Sequence, residues 1–304
     1  VTLGNISIDS FAGSAGTEVF AGGFVGKTEA DVTISFKGYE CQTNISLDQK
    51  TSRTASYVCL GGVLGGTDPD AAAKSLSFDT VSNSGVISTA YNETQVTSPI
   101  SRCFIGGIAG FIYGDASFKS CINNAEIGKV LSGTYSASNK WMAFVYGGVA
   151  GVVLGGDAEF TSCENKAGIT MHHYSNCAVK DGNDSKDGWF TVCTGAGILG
   201  AFDNKVTSVS KKLKMTSCVN SGGFKVYRGM AAGVVGFARN AEIVSCSNSG
   251  TLSQNTSSNS PHKGGIAGWL MNSEVKNCVA KCDVYAATSG GNGQQAGGIL
   301  SIAR

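Results

Sequence analysis

The sequence predicts an all-β protein, and more specifically a three-sided parallel β-solenoid of about eight rungs with loop insertions. A unit of ~32 residues recurs along the chain, and an internal repeat of this length is typical of solenoid folds. No segment keeps the apolar period of an amphipathic helix, whereas short apolar runs bounded by Gly, Asn or Asp are frequent. Repetition and the absence of helical periodicity together indicate stacked strands.

Each repeat begins with a Gly-Gly-aliphatic-small-Gly motif, which we interpret as a β-strand; GGIAG at residues 106–110 is an example. A turn follows, then a strand that ends in Cys, another turn and a short third strand. Stacking would pair each strand with its equivalent one rung along, roughly 4.8 Å away, and produce a three-sided coil. We expect one solenoid domain over residues 1–304, with repeats that start near residues 22, 61, 106, 147, 196, 232, 264 and 297.

Insertions lengthen several repeats, and they fall mostly between the third strand and the next Gly-Gly motif. Because they occupy the same place in each unit, we expect the inserted loops to line one corner and to form an extended contact surface. The insertions are residues 131–142, 171–192 and 252–263.

Composition and charge narrow the possible partners. The chain has 304 residues, a net charge of +1 and 15% charged residues. Nucleic acids and anionic membranes are recognised by clustered Lys and Arg, so neither is expected as the main partner. No stretch of about 18 apolar residues occurs, and no membrane insertion is expected.

The two ends of the sequence suggest a piece of a longer chain. Residue 1 is Val1 and not Met, so we expect a processed or trimmed start. Arg304 lies in an eighth unit that has its first strand but no Cys corner. Either the parent protein continues, or a neighbouring subunit completes the coil end to end, which makes a homo-oligomer or an end-to-end assembly a candidate.

Cysteine follows the repeat. Five of the 11 Cys share one repeat position, so stacking would place them in an inward ladder of small apolar side chains. A disulfide framework is the alternative for an extracellular chain, but the number is odd and the parallel Cβ vectors suit a relaxed bond poorly. Cys177 and the pair Cys278–Cys282 are the candidate exceptions. The five ladder positions are Cys121, Cys163, Cys218, Cys246 and Cys278.

Asparagine recurs two residues after the ladder Cys. Asn tolerates left-handed backbone and hydrogen-bonds its own turn, so we interpret these residues as structural. Stacked amides can also donate to one another along the coil. The series comprises Asn83, Asn123, Asn165, Asn220 and Asn248.

The GGxxG strand followed by a [ST]CxNxGxI corner resembles the GLUG-type repeats of bacterial surface proteins, including adhesin-like proteins of Bacteroidetes. The resemblance covers roughly residues 20–304, as short degenerate motifs. It implies a secreted or surface-displayed β-solenoid and an extracellular or cell-surface location. It supplies no catalytic motif, and the first unit, residues 22–47, lacks the Cys-x-Asn corner.

Three acidic residues are the only metal candidates at repeat positions. Asp115, Asp157 and Asp203 follow the first strand, where turn chemistry explains them. Stacked carboxylates repel one another, so a calcium ladder is the alternative, and no other cofactor is expected. The loop at residues 181–188 and the pair His172-His173 are poorer matches to a metal site.

Three classes of function fit the repeat. The first is a non-catalytic surface adhesin or structural array with a protein or glycan ligand, which we favour. The second is a polysaccharide-degrading lyase or hydrolase, which needs a pair of carboxylates that breaks the repeat symmetry, and no catalytic residue stands out. The third is a glycan-binding module that would use the aromatic residues Phe111, Phe237 and Trp269, which share one repeat position and could equally face inward.

The first strand of each repeat carries consecutive apolar residues, as in Val63-Leu64. A solvated sheet face would alternate with polar residues, so this pattern predicts a sheet covered on both faces. We expect the cover to be the inserted loops, a capping segment or another chain.

Overall fold

The computed structural model describes residues 4–8, 18–29, 31–49, 57–70, 73–91, 102–129, 143–171, 194–203, 212–226, 229–254, 262–285 and 295–303. Within these ranges the chain is all-β and has no helix, and every strand pair is parallel. Strands of successive repeats lie side by side in four sheets. The prediction of an all-β fold built from stacked parallel strands is therefore confirmed.

Sheets A and D contain the strands from the second half of each repeat. Sheet A comprises β1 (Ile6–Ile8), β6 (Ile45–Gln49), β11 (Ile87–Tyr91), β15 (Ile127–Lys129), β19 (Ile169–Met171), β24 (Phe224–Val226) and β29 (Leu252–Gln254). Sheet D comprises β5 (Glu40–Cys41), β10 (Ser82–Asn83), β14 (Ile122–Asn123), β18 (Glu164–Asn165), β23 (Val219–Asn220), β28 (Ser247–Asn248) and β33 (Val279–Ala280).

Sheet B and the first half of sheet C flank the Gly-Gly motifs. Sheet B comprises β2 (Glu18–Gly22), β7 (Tyr57–Gly61), β12 (Arg102–Gly106), β16 (Ala143–Gly147), β20 (Thr194–Ala196), β25 (Met230–Ala232), β30 (His262–Gly264) and β34 (Gln295–Gly297). The first half of sheet C comprises β3 (Val25–Thr28), β8 (Leu64–Thr67), β21 (Leu199–Asp203), β26 (Val235–Arg239), β31 (Ala267–Met271) and β35 (Leu300–Ala303).

The second half of sheet C is joined to the first by two long strands, which run through both halves. These are β13 (Ala109–Lys119) and β17 (Ala150–Thr161). The remaining strands of the second half are β4 (Thr33–Lys37), β9 (Ala73–Asp79), β22 (Leu213–Thr216), β27 (Ala241–Val244) and β32 (Glu274–Lys276).

The Gly-Gly motif is a corner between two strands, and the prediction that it is a strand is wrong. In the third repeat β12 ends at Gly106, the chain bends at Gly107 and Ile108, and β13 begins at Ala109. A repeat such as this one contributes strands to all four sheets, and not the three strands predicted. The apolar pattern of the sequence does not reveal this corner, because the residues of the corner are as apolar as those of the strands on either side.

Close approach of backbone explains why the corner needs three glycines. A Cβ on Gly106 would lie 2.0 Å from the carbonyl oxygen of Ala109 within the same turn. One on Gly107 would lie 2.1 Å from the carbonyl oxygen of Gly148 in the next rung, and one on Gly110 would lie 2.7 Å from that of Leu60 in the previous rung. These distances are far below van der Waals contact, so any larger residue would push the rungs apart.

The corner points inward and rests on the asparagines of sheet D. A Cβ on Gly107 would meet the amide of Asn123 at 2.6 Å. These asparagines are buried and form an amide ladder, as predicted: Asn123 Nδ2 donates to Asn165 Oδ1 at 2.8 Å and to the carbonyl oxygen of Ala125 at 2.9 Å. Each amide donates one hydrogen bond to the next rung and one to its own turn. Because its donors are satisfied in this way, the amide ladder is stable inside the protein.

The first and last described rungs depart from the amide ladder. Cys41 lies in register with Asn83, and Ala280 lies in register with Asn248. At the last rung Asn248 Nδ2 donates to the thiol sulfur of Cys282 at 3.0 Å.

The ladder cysteines form hydrogen bonds between successive rungs. Cys163 Sγ lies 3.4 Å from the carbonyl oxygen of Phe118 in the previous rung, and the other ladder cysteines repeat this contact. The nine Cys within the described ranges are free thiols, which agrees with the predicted ladder; Cys177 and Cys193 lie outside those ranges. Burial raises the pKa of the Cys163 thiol well above its usual value, so the thiol stays protonated.

The residue before each ladder cysteine turns the chain with positive φ. Ser162 has φ of 52°, and its equivalents adopt the same left-handed conformation without being glycine. The sequence signal was the Ser, Thr or Asn that precedes the ladder position. Those equivalents are Thr80, Ser120, Ser217, Ser245 and Asn277.

The apolar interior consists of three clusters. The first cluster packs against the inner face of sheet C. It includes a stack of aromatic rings, in which Phe78 and Phe118 are parallel with centroids 4.6 Å apart. The second lies between sheets A and B and includes Ile105 and Ile127. The third lies where sheet B faces the first half of sheet C, and we call it the wedge.

In the wedge, one residue of a sheet B strand lies opposite the residue seven positions later in sheet C. Phe104 and Phe111 stack in this way, with ring centroids 5.4 Å apart. Strand register extends the two facing positions into two rows along the solenoid. The pairs are Phe20/Lys27, Cys59/Gly66, Phe104/Phe111, Val145/Val152, Thr194/Ala201, Met230/Phe237 and His262/Trp269.

The wedge shows what covers the first strands, for which the sequence predicted the inserted loops, a capping segment or another chain. Val63 and Leu64 both lie in the first cluster, because Val63 belongs to the bend and the alternation of faces starts only at β8. The opposite face of the first half of sheet C is also buried, and sheet B of the same chain covers it. The covered sheet was predicted correctly and its cover was not.

We predict that Asn165→Asp lowers the free energy of unfolding by about 3 kcal/mol or more, because a buried carboxylate would face the oxygens of Ala167 and Asn220. Urea unfolding monitored by circular dichroism measures this. The exposed Asn124→Asp is the control and should change stability by less than about 0.5 kcal/mol. Equal stability of the two variants would contradict the amide ladder.

We predict that Ser162→Gly stabilises the protein by about 1 kcal/mol, since glycine adopts positive φ without a Cβ clash. The same change at Ser117, in the ordinary strand β13, should destabilise it by about 0.5–1 kcal/mol. Thermal unfolding of the two variants provides the comparison. If both lose stability, the left-handed conformation at the corner is not a source of strain.

Candidate functional site

The wedge changes character along the solenoid. Its middle rungs pair apolar side chains, such as Phe104 with Phe111 and Val145 with Val152. The later rungs introduce Thr194 and His262 into the same rows. This departure from the repeat is the kind of asymmetry expected of a functional site. It could not be predicted from the sequence, because the rows of the wedge exist only through the packing of sheet B on sheet C.

An ion pair accompanies the change. Asp203 Oδ1 lies 3.3 Å from Arg239 Nε, and the Asp203 side chain is buried. Asp203 is in register with Leu154, and Arg239 with Met271, so an apolar residue fits at either position. Two charges have been placed where neighbouring rungs carry none. Asp203, Arg239, Thr194, His262 and Trp269 are together called the polar end of the wedge.

Two groups at the polar end have unused hydrogen-bonding capacity within the described part of the chain. Thr194 is 2% exposed, and its Oγ1 has no hydrogen-bond partner in the described part of the chain. Nδ1 of His262 is also buried and has no partner there. Burial lowers the pKa of His262, so its imidazole is neutral near pH 7. Most buried polar atoms in proteins have a hydrogen-bond partner, so these two atoms are exceptions to the rule.

A second polar region lies on the outer face of the second half of sheet C. Two shallow depressions of about 420 and 410 Å³ share Lys212 in their walls. The first is also lined by Asn240, Glu242, Asn272 and Glu274, among others, and the second by Asp115, Asp157, Glu159 and Lys214. We call this surface the outer strip.

The carboxylates of the outer strip join successive rungs. Asp115 Oδ1 accepts the backbone N–H of Asp157 at 2.9 Å, and Asp157 Oδ1 accepts that of Lys212 at 2.8 Å. These bonds give the two aspartates a structural role.

The structure does not align the three calcium candidates. Asp203 sits within β21 beside Leu154, whereas Asp115 and Asp157 lie at the junction between the two halves of sheet C. Within the described ranges, no group of three or more His, Cys, Asp or Glu side chains could hold a metal ion. Residues 181–188 and His172-His173 lie outside those ranges.

The aromatic candidates for glycan contact are buried. Phe111, Phe237 and Trp269 are 1%, 5% and 3% exposed and line the wedge, so the inward alternative is right and an exposed aromatic platform is wrong. The sequence could not decide between the faces, because their direction depends on sheet B packing over them.

Lys263 is a buried amine that sequence reasoning missed. It lies in register with Ala231, is 1% exposed, and donates from Nζ to the carbonyl oxygen of Tyr285. Burial lowers its pKa to about 8. The available signal was a single Lys at a sheet B position that Ala occupies in the two neighbouring repeats, Ala231 and Ala296.

Comparison with family models, with curated proteins and with solved structures finds no match to this chain. Within the residues described, there is no helix long and apolar enough to cross a membrane.

We predict that Lys263 makes stability rise between about pH 8 and pH 10.5. In this window the unfolded chain binds the proton and the folded chain does not, so the free energy of unfolding increases with pH, by up to about 3 kcal/mol. Lys263→Met should remove this increment and stabilise the protein most at pH 7. The measurement is urea unfolding of both proteins across the window.

Thiols titrate in the same range, but both proteins contain them, so the difference between the two curves isolates Lys263. The conservative Lys263→Arg keeps the charge and serves as the control, since it should not gain stability at pH 7. Parallel curves for Lys263→Met and the wild type would contradict the prediction.

Proposed function

We propose that the chain is a non-catalytic repeat protein, secreted or displayed at the cell surface, whose solenoid presents an extended surface to a protein or glycan ligand. The observation that carries the proposal is the outer strip, a polar surface with two adjoining depressions that share Lys212. Strands stacked in register give such a surface a fixed spacing of roughly 4.8 Å, which suits an extended partner.

The chemistry of the strip favours binding over turnover. Asp115 and Asp157 each accept a backbone hydrogen bond from the next rung, so one oxygen of each carboxylate takes part in holding the rungs together. Glu159, Lys214 and Glu242 are in register on three successive rungs of the strip, so opposite charges lie side by side there. On the next rung Glu274 is in register with Glu242, so the two carboxylates are neighbours. A surface of mixed charge that donates and accepts hydrogen bonds suits a hydroxyl-rich or mixed-charge partner.

The resemblance to GLUG-type repeats supports the extracellular or surface location, and the three-sided cross-section belongs to the same proposal. Successive strands of each repeat are separated by corners, at the Gly-Gly motif and at the left-handed residue before Cys, as a closed coil requires. The end-to-end assembly suggested by the sequence stays a prediction, which sedimentation of the purified chain tests.

A polysaccharide-acting enzyme is the second candidate, because Asp115, Asp157 and Glu159 line one depression together with Lys212 and Lys214. Glycoside hydrolysis needs two carboxyl groups roughly 5–10 Å apart. This candidate differs from the first in one observable, the release of product.

We predict binding without turnover when the protein is incubated with a panel of neutral and acidic polysaccharides. Lys212→Glu combined with Lys214→Glu should weaken binding at least fivefold, because both ammonium groups line the strip. Lys281→Glu, at an exposed position outside both depressions, is the charge-matched control and should leave binding unchanged.

Product release is followed by new reducing ends and by absorbance of unsaturated uronates. Release that Asp157→Asn abolishes would establish the enzyme and refute the proposal. An absence of any polysaccharide or protein ligand in pull-down and array measurements would refute the contact function.

A further inference from the structure

The outward side chains of the second half of sheet C include one straight polar row. Each strand contributes one residue at the same register position, and every member of the row carries a hydroxyl group or a charge. We call it the outer row. Its members are Ser35, Ser77, Ser117, Glu159, Lys214, Glu242 and Glu274. Parallel strands keep neighbouring members roughly 4.8 Å apart, so the outer row is regular along the solenoid axis.

The two depressions of the outer strip follow the solenoid axis over six strands. Lys212 lines both of them, so they adjoin end to end. At roughly 4.8 Å per strand, six strands span about 24 Å, which suits an extended ligand better than a compact one. One lining residue from each of the six successive strands is Ser75, Ser117, Glu159, Lys214, Glu242 and Glu274.

The composition and the spacing of the strip disfavour a protein partner. Protein interfaces depend on aromatic and large apolar anchors, whereas the described residues that line the depressions include no aromatic side chain and no apolar one larger than Ala. An extended peptide places the side chains of one face every two residues, roughly 6.6–6.8 Å apart. A peptide laid along the axis would therefore lose register with the rungs within two steps.

A linear chain of sugars matches both the spacing and the chemistry. In an extended β-1,4-linked chain each ring advances by a length close to the distance between neighbouring rungs, so successive rings can face successive strands. A hydroxyl group donates one hydrogen bond and accepts two. Each ring can therefore donate to a carboxylate such as Glu242 and accept from an ammonium or amide group such as Lys214 or Asn272.

The charges of the strip favour a neutral sugar chain over an acidic one. Among the described lining residues, the first depression contains Glu242 and Glu274 but a single lysine, Lys212, and the second contains three carboxylates and two lysines. Like charges that face one another across an interface weaken binding. A polyuronate or a sulfated chain would meet such repulsion in both depressions, and a neutral chain would not.

We infer that the outer strip binds a linear neutral polysaccharide, which lies along the solenoid axis with one sugar ring per rung over about six rungs. The inference rests on the proposed contact function, to which it adds the class of ligand, its direction and the length that is recognised.

The test is isothermal titration of the full chain with cello-, manno- and xylo-oligosaccharides of two to eight sugars. In at least one series the affinity should rise with each added ring, so that the hexamer binds at least tenfold more tightly than the trimer. The octamer should bind within about threefold of the hexamer, because its further rings lie beyond the depressions. A galacturonate hexamer should bind at least tenfold more weakly than the neutral hexamer.

Glu242→Ala combined with Glu274→Ala tests the direction of the ligand. Both side chains are exposed and belong to the last two of the six strands. In this variant the hexamer should bind no more tightly than the tetramer, because only four strands still contribute contacts. The tetramer itself should stay within about threefold of its wild-type affinity.

Glu40→Ala combined with Glu164→Ala is the matched control, because it removes two carboxylates of sheet D outside both depressions. Each variant also loses one surface ion pair, Glu274 with Lys276 or Glu164 with Lys166. The control should leave the whole length series unchanged.

The inference is overturned if no oligosaccharide of the three series binds, if the affinity stops rising at two or three sugars, or if the galacturonate hexamer binds as tightly as the neutral one. An unchanged affinity of the folded Glu242→Ala/Glu274→Ala variant for the hexamer also overturns it. The wild-type length series decides the matter if that variant does not fold. Binding of a protein partner that Lys212→Glu/Lys214→Glu abolishes, without binding of any oligosaccharide, would defeat this inference and leave the proposed function standing. Absence of both kinds of binding would defeat both.

Discussion

The contact between the Gly-Gly corner and the asparagine ladder is the constraint on which this structure depends. The corner can lie against the asparagines only because Gly107 has no side chain to clash with Asn123 or with the next rung. The asparagine amides can stay buried there because each donates to the next amide and to its own turn. Each corner rests on the asparagine of its own repeat, so both features recur with the same period.

An inward corner has consequences for every sheet around it. It divides the interior, so that the first cluster lies on the side of sheets C and D and the second between sheets A and B. It also folds sheet B against the outer face of sheet C and thereby creates the wedge. Sheet B and the first half of sheet C are therefore buried on both faces, as parallel sheets usually are, without any helix among the described residues to cover them.

Residues that differ from their equivalents in the other repeats are the first candidates for a functional role. The inner rows are filled interchangeably by Phe, Met, Ile and Val, and they explain the fold and nothing more. Asp203, Arg239 and Thr194 replace apolar equivalents inside the wedge, while Lys212 joins the depressions on the outer strip. The outer strip can contact an extended partner, which is the role that we propose for this chain.

The sequence by itself determined the all-β class, the period, the stacking of repeats, the thiol column and the asparagine ladder, because these follow from one residue type recurring at one position. Only the tertiary structure decided the direction of the corner. Consecutive apolar residues such as Val63 and Leu64 look alike whether they alternate across a strand or share one face through a bend. For the same reason Phe111 and Trp269 seemed available to a glycan, and Asp203 seemed equivalent to Asp115. Which residues meet across the wedge depends on how two sheets pack face to face. The spacing of residues along the sequence does not reveal that packing.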